Sequence, residues 1–172
     1  MPDSKPLPTL LVGSVPLASA SAVFRTATAE MGGTFARLPD GETGRRSNWI
    51  AWQRAVFAEV SQLVQSDSRE RDYQLFPPFV LRSDARLADV RFGPLGFADE
   101  AIASWRALER LKATGEVAAR VRLQVALPTA WAPVYSFVGY RWQDQIHPLY
   151  EAALLAELAR ITEAIPADAL SI

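Results

Sequence analysis

Apolar and polar positions alternate along this chain in blocks that read as strands and helices in turn. Residues 9–12 form a short apolar run that stops at Gly13-Ser14, the pattern of a buried strand delivering a tight loop. Ser19 or Ser21 is placed to cap a helix whose apolar stripe is Ala20, Val23, Phe24, Ala27 and Met31, with Gly32-Gly33 as its stop. Residues 34–38 are the next strand, followed by a loop over 39–44. Ser47 or Asn48 then opens a second helix with the stripe Trp49, Trp52, Val56, Val60 and Leu63. Over 73–97 the pattern breaks. Pro77-Pro78 and Gly93-Pro94 forbid a helix, and residues 79–81 and 90–92 are expected to pair as a small inserted hairpin. A third helix is expected over 99–114, with Ile102, Trp105, Leu108 and Leu111 inward and Gly115 as its stop.

Residues 120–127 carry the clearest strand. Val121, Leu123, Val125 and Leu127 alternate with Arg120, Arg122, Gln124 and Ala126. The polar face fits either a parallel strand looking into a barrel lumen or an antiparallel strand with one solvated face; periodicity leaves both open. Pro128 closes the strand, 129–140 reads as an aromatic loop, and His147-Pro148 starts a fourth helix with Leu154, Leu158, Ile161 and Ile165 buried. Residues 169–172 look like the opening of one more strand. Strands alternating with helices predict a parallel α/β sheet in a single domain, with 1–8 as a flexible start and 73–97 as an excursion.

Composition narrows this picture by exclusion. With 172 residues and 49% hydrophobic positions, the chain can bury a real core. A net charge of −1 gives no field to attract nucleic acid or an anionic membrane, and no apolar stretch has the ~20 residues that span a bilayer. No signal peptide is readable, so a cytoplasmic setting is expected. With no Cys and one His, His147, neither a thiolate metal site nor a His cluster can form within the chain.

Candidate chemistry concentrates in the two loops that follow the first two strands. Asp40 and Glu42 lie two apart between Gly41 and Gly44, with Arg45 and Arg46 at the entry to a helix. A carboxylate there can bind an ammonium group, and an Arg can clamp a carboxylate or phosphate. Asp-Gly is equally a plain turn signal. What favours ligand binding is position, because ligands bind at the carboxyl ends of the strands in such sheets. Gly13 permits close approach of a ligand to the backbone, and Ser14 offers an N–H and a hydroxyl. Thr129 follows the 120–127 strand and is expected to face the same pocket, with Trp131 and Trp142 as wall residues. No residue is singled out as catalytic.

Together the loops resemble a known family. Leu11-Val12-Gly13-Ser14-Val15-Pro16 is similar to the Ile-Gly-Ser-Phe-Pro segment opening the catalytic barrel of cobalamin-independent methionine synthases. Asp40-Gly41-Glu42-Thr43-Gly44-Arg45 resembles that family's His-Gly-Glu-x-x-Arg segment, and Leu127-Pro128-Thr129 its Gly-Pro-Val-Thr region. The form with Pro39-Asp40-Gly41-Glu42-Thr43-Gly44 looks most like a branch of the methionine synthase and uroporphyrinogen decarboxylase superfamily. The resemblance implies a partial (β/α)8 TIM barrel, about the first four strands. It also implies an amino-acid-like, homocysteine-type substrate held by Gly13, Ser14 and Glu42, with Glu42 on the ammonium group. Asp40 departs from the family's His. Zinc and a folate methyl donor are implied for the family only; its zinc ligands lie in the second half of the barrel, and this chain alone is expected to bind neither and to be incomplete for catalysis. A complete barrel takes roughly 250 residues. The expectation is therefore a fragment, or self-association or association with a missing C-terminal half. Two alternatives remain: a non-catalytic half barrel acting as an interaction module, and a decarboxylase-type barrel using Asp40, Arg45 and Arg46.

Overall fold

The computed structural model describes residues 9–31, 34–70 and 76–172. The chain divides into two compact units. The first comprises Met1–Trp49, Asp99–Leu127 and Ile161–Ile172, and the second Ile50–Ala98 and Pro128–Arg160. The excursion expected over 73–97 belongs to the second unit, except for 71–75, which lie outside the described residues, as do the N-terminal 1–8 and the helix stop Gly32-Gly33.

The first unit is built on a three-stranded parallel sheet in the order β1 (Arg37–Pro39), β4 (Arg122–Gln124), β5 (Leu170–Ser171). Leu38 pairs with Leu123, and Leu123 with Leu170, so three leucines lie abreast across the sheet. Parallel pairing on both sides excludes the antiparallel reading of β4. The strand is shorter than 120–127, but the backbone pairing runs one residue further, where Val125 N–H donates to Ser171 O at 2.8 Å. The expected first strand at 9–12 forms no ladder. Its link to the sheet is a side-chain bond, Gln124 Nε2 to Leu11 O at 2.9 Å, and Leu10 and Val12 stay exposed. A side chain thus occupies the carbonyl that a neighbouring backbone would have used.

Helix α1 (Ala20–Met31) starts where Ser19 Oγ accepts from Ala22 N–H at 3.2 Å, so Ser19 is the cap. Of its stripe, Val23 and Phe24 are buried, whereas Met31 is exposed. Helix α3 (Phe97–Ala113) begins in the second unit and runs on into the first, carrying Asp99 and Glu100 in its first turn and Arg110 and Lys112 in its last, as the helix dipole favours. Trp105, Leu108 and Leu111 are buried as expected, and so is Ser104.

The second unit departs further from the pattern. Instead of a helix opening at Ser47 or Asn48, the chain makes a 3₁₀ turn over Ala51–Gln53 and a short α2 (Arg54–Ala58). Trp49, the residue of the first unit just before the second begins, adopts a left-handed backbone, φ 47°, and is exposed. Of the expected stripe, Val60 and Leu63 are buried and Trp52 and Val56 half-buried, and Phe57, off that stripe, is fully buried in an aromatic cluster with Phe79, Phe92, Phe137 and Tyr150. Leu63 is not helical but begins β2 (Leu63–Gln65), which pairs antiparallel with β3 (Phe79–Leu81). The expected partner of β3, residues 90–92, is a loop; β2 supplies the antiparallel backbone instead. The aromatic loop at 129–140 contains helix α4 (Trp131–Phe137). Helix α5 (Gln143–Ala164) starts before His147, leaving Pro148 inside it. Buried Gln143 anchors that earlier start by donating to Val138 O at 3.0 Å and Tyr135 O at 3.3 Å. Among the described residues, no helix is long and apolar enough to cross a membrane.

Candidate functional site

The turn after β1 is held from several directions within the first unit. Val15 N–H donates to Gly41 O at 2.8 Å and ties the Gly13-Ser14 loop to the Asp40–Gly44 turn. Gly41 has φ 74°, and a Cβ there would lie 2.8 Å from Val23 Cγ2 and 2.9 Å from Val15 Cβ, so the tie requires glycine. Asp40 Oδ1 accepts from Glu42 N–H at 3.0 Å, a side-chain-to-backbone turn that holds Glu42 at φ 48°. A non-glycine residue in that region is uncommon and marks a position fixed by its surroundings.

This turn brings the two loops together chemically. Ser14 Oγ donates to Glu42 Oε2 at 2.6 Å, across 28 residues of sequence. Gly13 and Ser14 are exposed and Glu42 is half-buried, so the pair can be reached from solvent. Asp40 is placed differently. It is 8% exposed, and its second oxygen accepts from Arg46 Nη2 at 2.8 Å and from Ser104 Oγ at 2.7 Å. Arg46 Nη1 also reaches Oδ1, at 3.3 Å. Asp40 is therefore an internal anchor whose acceptor positions are taken. The Arg46–Asp40 pair is largely shielded, with side chains 12% and 11% exposed; breaking a fully buried pair typically costs ~3–5 kcal/mol because it strands a charge away from water, an upper bound here.

Beyond Arg46 the charges continue to alternate. Glu100 accepts from Arg45 Nε at 2.9 Å, and its other oxygen lies 3.4 Å from Arg46 Nε, a charge contact too poorly aligned for a hydrogen bond. A cleft of ≈340 Å³ opens beside this row, bordered by the first turn of α1, by residues 43–46 and by Glu100, Ala103, Ser104 and Ala107 of α3. Its walls are small side chains and hydroxyls crossed by paired charges.

Of the expected site residues, Gly13, Ser14, Asp40, Glu42 and Arg45 all fall in the first unit, and Ser14 and Glu42 touch. Thr129 is exposed and falls in the second unit. There Trp131 stacks on His147 with ring centroids 4.3 Å apart. Of the residues that shape the turn, Arg46 was expected as an anion clamp and is instead the partner of Asp40, and Ser104 escaped the sequence reading. The signal for Ser104 was a hydroxyl on an otherwise apolar stripe, beside Trp105 and four residues after Glu100. Comparison with protein-family models, with curated proteins and with solved structures gave no match to this chain.

Proposed function

We propose that the first unit holds an amino-acid-like, homocysteine-type ligand, as the substrate-binding part of a methionine-synthase-like methyltransferase barrel in a cytoplasmic setting. The observation that carries this reading is the Ser14–Glu42 hydrogen bond, which joins the two loops of the resemblance at the carboxyl end of a parallel strand. In this reading β1, β4 and β5 are consecutive strands of a (β/α)8 barrel; their parallel order, with helices in the connections, supports it. Glu42 takes the ligand's ammonium group, and the Ser14 N–H takes its carboxylate, while the Ser14 hydroxyl keeps its one proton on Glu42. Zinc does not fit the residues present. The chain has no Cys and one His, and His147 is stacked on Trp131. The decarboxylase alternative is less well supported, because Arg45 and Arg46 already face Glu100 and Asp40.

Calorimetric titration of the full chain with L-homocysteine and L-methionine tests the proposal. Losing a charge-assisted hydrogen bond costs ~1.5–3 kcal/mol, so Glu42→Ala is expected to weaken binding by roughly 10- to 100-fold. Failure of the wild-type chain to bind either amino acid, or equal affinity in the variant, sinks the assignment.

A further inference from the structure

We propose that Ser104 and Arg46 are positioning residues for Glu42, acting through Asp40. The proposal rests on the reading of Glu42 as the ligand's ammonium partner. Glu42 keeps a left-handed backbone, φ 48°, that no side chain of its own explains. What holds it is its N–H bond to Asp40 Oδ1, 3.0 Å. That bond is only as fixed as the Asp40 carboxylate. Two groups set the carboxylate's rotation: the Arg46 fork at 3.3 and 2.8 Å, from six residues on, and the Ser104 hydroxyl at 2.7 Å, from α3. Gly41, between Asp40 and Glu42, is pinned by Val15 N–H and packed under Val23, so the turn cannot relax by shifting its backbone. The chain of contact runs from α3 through Ser104, Asp40 and the Glu42 amide to the carboxylate that meets Ser14. Ser104 and Arg46 also border the adjacent cleft, so the groups that set Glu42 are reachable from a second face.

Amide hydrogen exchange of the full chain, read residue by residue by NMR, tests this without a ligand. In Ser104→Ala the Glu42 amide is expected to exchange about tenfold faster, while amides of β1 and β4 keep their wild-type rates. Ser104→Thr, which retains the hydroxyl, restores protection. Asp40→Asn keeps an acceptor for the amide but loses the charge facing Arg46, and it is expected to accelerate Glu42 exchange at least as much as Ser104→Ala. L-Methionine affinity is then measured on the folded variants and is expected to drop in step with the loss of protection. Unchanged exchange at Glu42, or acceleration of every sheet amide by the same factor, overturns the proposal. So does wild-type ligand affinity in Ser104→Ala where Glu42→Ala has lost it. If the wild-type chain binds no amino acid while the exchange results hold, the network stands as the geometry of Glu42 and the ligand reading fails alone.

Discussion

Gly41→Ala is the sharpest probe of the turn, because two costs apply there and a neighbouring glycine isolates one of them. An L-residue in the left-handed region costs roughly 1–2 kcal/mol, and φ at Gly41 is 74°. The added methyl also meets Val23 Cγ2 at 2.8 Å and Val15 Cβ at 2.9 Å. The Val23 methyl can turn away, but a Cβ cannot, so the Val15 segment must move and strain its bond to Gly41 O. Overpacking of this kind costs roughly 1–3 kcal/mol. The sum is a loss of ~2–5 kcal/mol. Gly44 has φ 67° with nothing within 4 Å of the position a Cβ would take, so Gly44→Ala carries only the conformational cost, ~1–2 kcal/mol. Urea denaturation of both variants beside wild type gives the two losses at unchanged slope. For a chain of this size the melting midpoints should fall by about 4–20 °C for Gly41→Ala and about 2–8 °C for Gly44→Ala. Equal losses in the two variants would refute the claim that Val15 and Val23 close over Gly41.

Two further predictions concern the buried polar groups of the second unit. Glu157 is almost wholly buried and accepts from Ala98 N–H at 2.6 Å, an orphan donor of the first turn of α3, and from Leu95 N–H at 3.0 Å in the segment leading into it. Glu157→Gln should cost ~1–3 kcal/mol in chemical denaturation and Glu157→Ala more; a neutral result for both would show that the cap is dispensable. Tyr150 donates its hydroxyl to Gln53 Oε1 at 2.7 Å, and Gln53 in turn donates to Leu95 O at 3.0 Å, so Tyr150→Phe should cost ~1–3 kcal/mol by stranding a buried amide oxygen. Burial, and to a lesser degree the nearby Glu157 carboxylate, raise the Tyr150 pKa above its ordinary 10.0. The folded state then holds the phenolic proton where the unfolded chain releases it. This contribution is full below pH 10.0 and is lost as pH rises beyond it, and the alkaline loss of stability should be smaller in Tyr150→Phe.

Much of the parallel sheet was legible in the sequence, because strands that alternate with helices leave few other arrangements. The strand at 120–127 and the strand opening at 169–172 lie where the alternation put them. What failed, failed for identifiable reasons. The run at 9–12 is as apolar as a buried strand, but strand formation needs a partner backbone, and local composition does not report one. The stripe from Trp49 to Leu63 has helical spacing, yet Gln53 is bound by Leu95 and Tyr150, and Leu63 by a strand arriving from 79–81. These are long-range contacts that periodicity cannot see. Pro148 was read as a helix start because proline is tolerated there; the buried amide of Gln143 moved the start upstream.

The site shows the same division between local and distant causes, and it bears on the one departure from the resembling motif. The pair Ser14 and Glu42 was visible as two loops after consecutive strands. The role of Asp40 was not, because it depends on Ser104, 64 residues away. At Asp40, where the resembling motif has His, a carboxylate sits in a nearly closed position. That charge is tolerable only with a cation and a hydroxyl facing it, and Arg46 and Ser104 are those groups. Once Asp40 is neutralised inside, Glu42 is the carboxylate of this turn left within reach of solvent, with donors from Ser14 beside it. One accessible negative charge beside the Ser14 amide is what the proposed ligand, a zwitterion with its ammonium and carboxylate groups close together, would require. Asp40 therefore anchors the turn from inside, and Glu42 is left as the carboxylate that the proposed amino-acid ligand would meet.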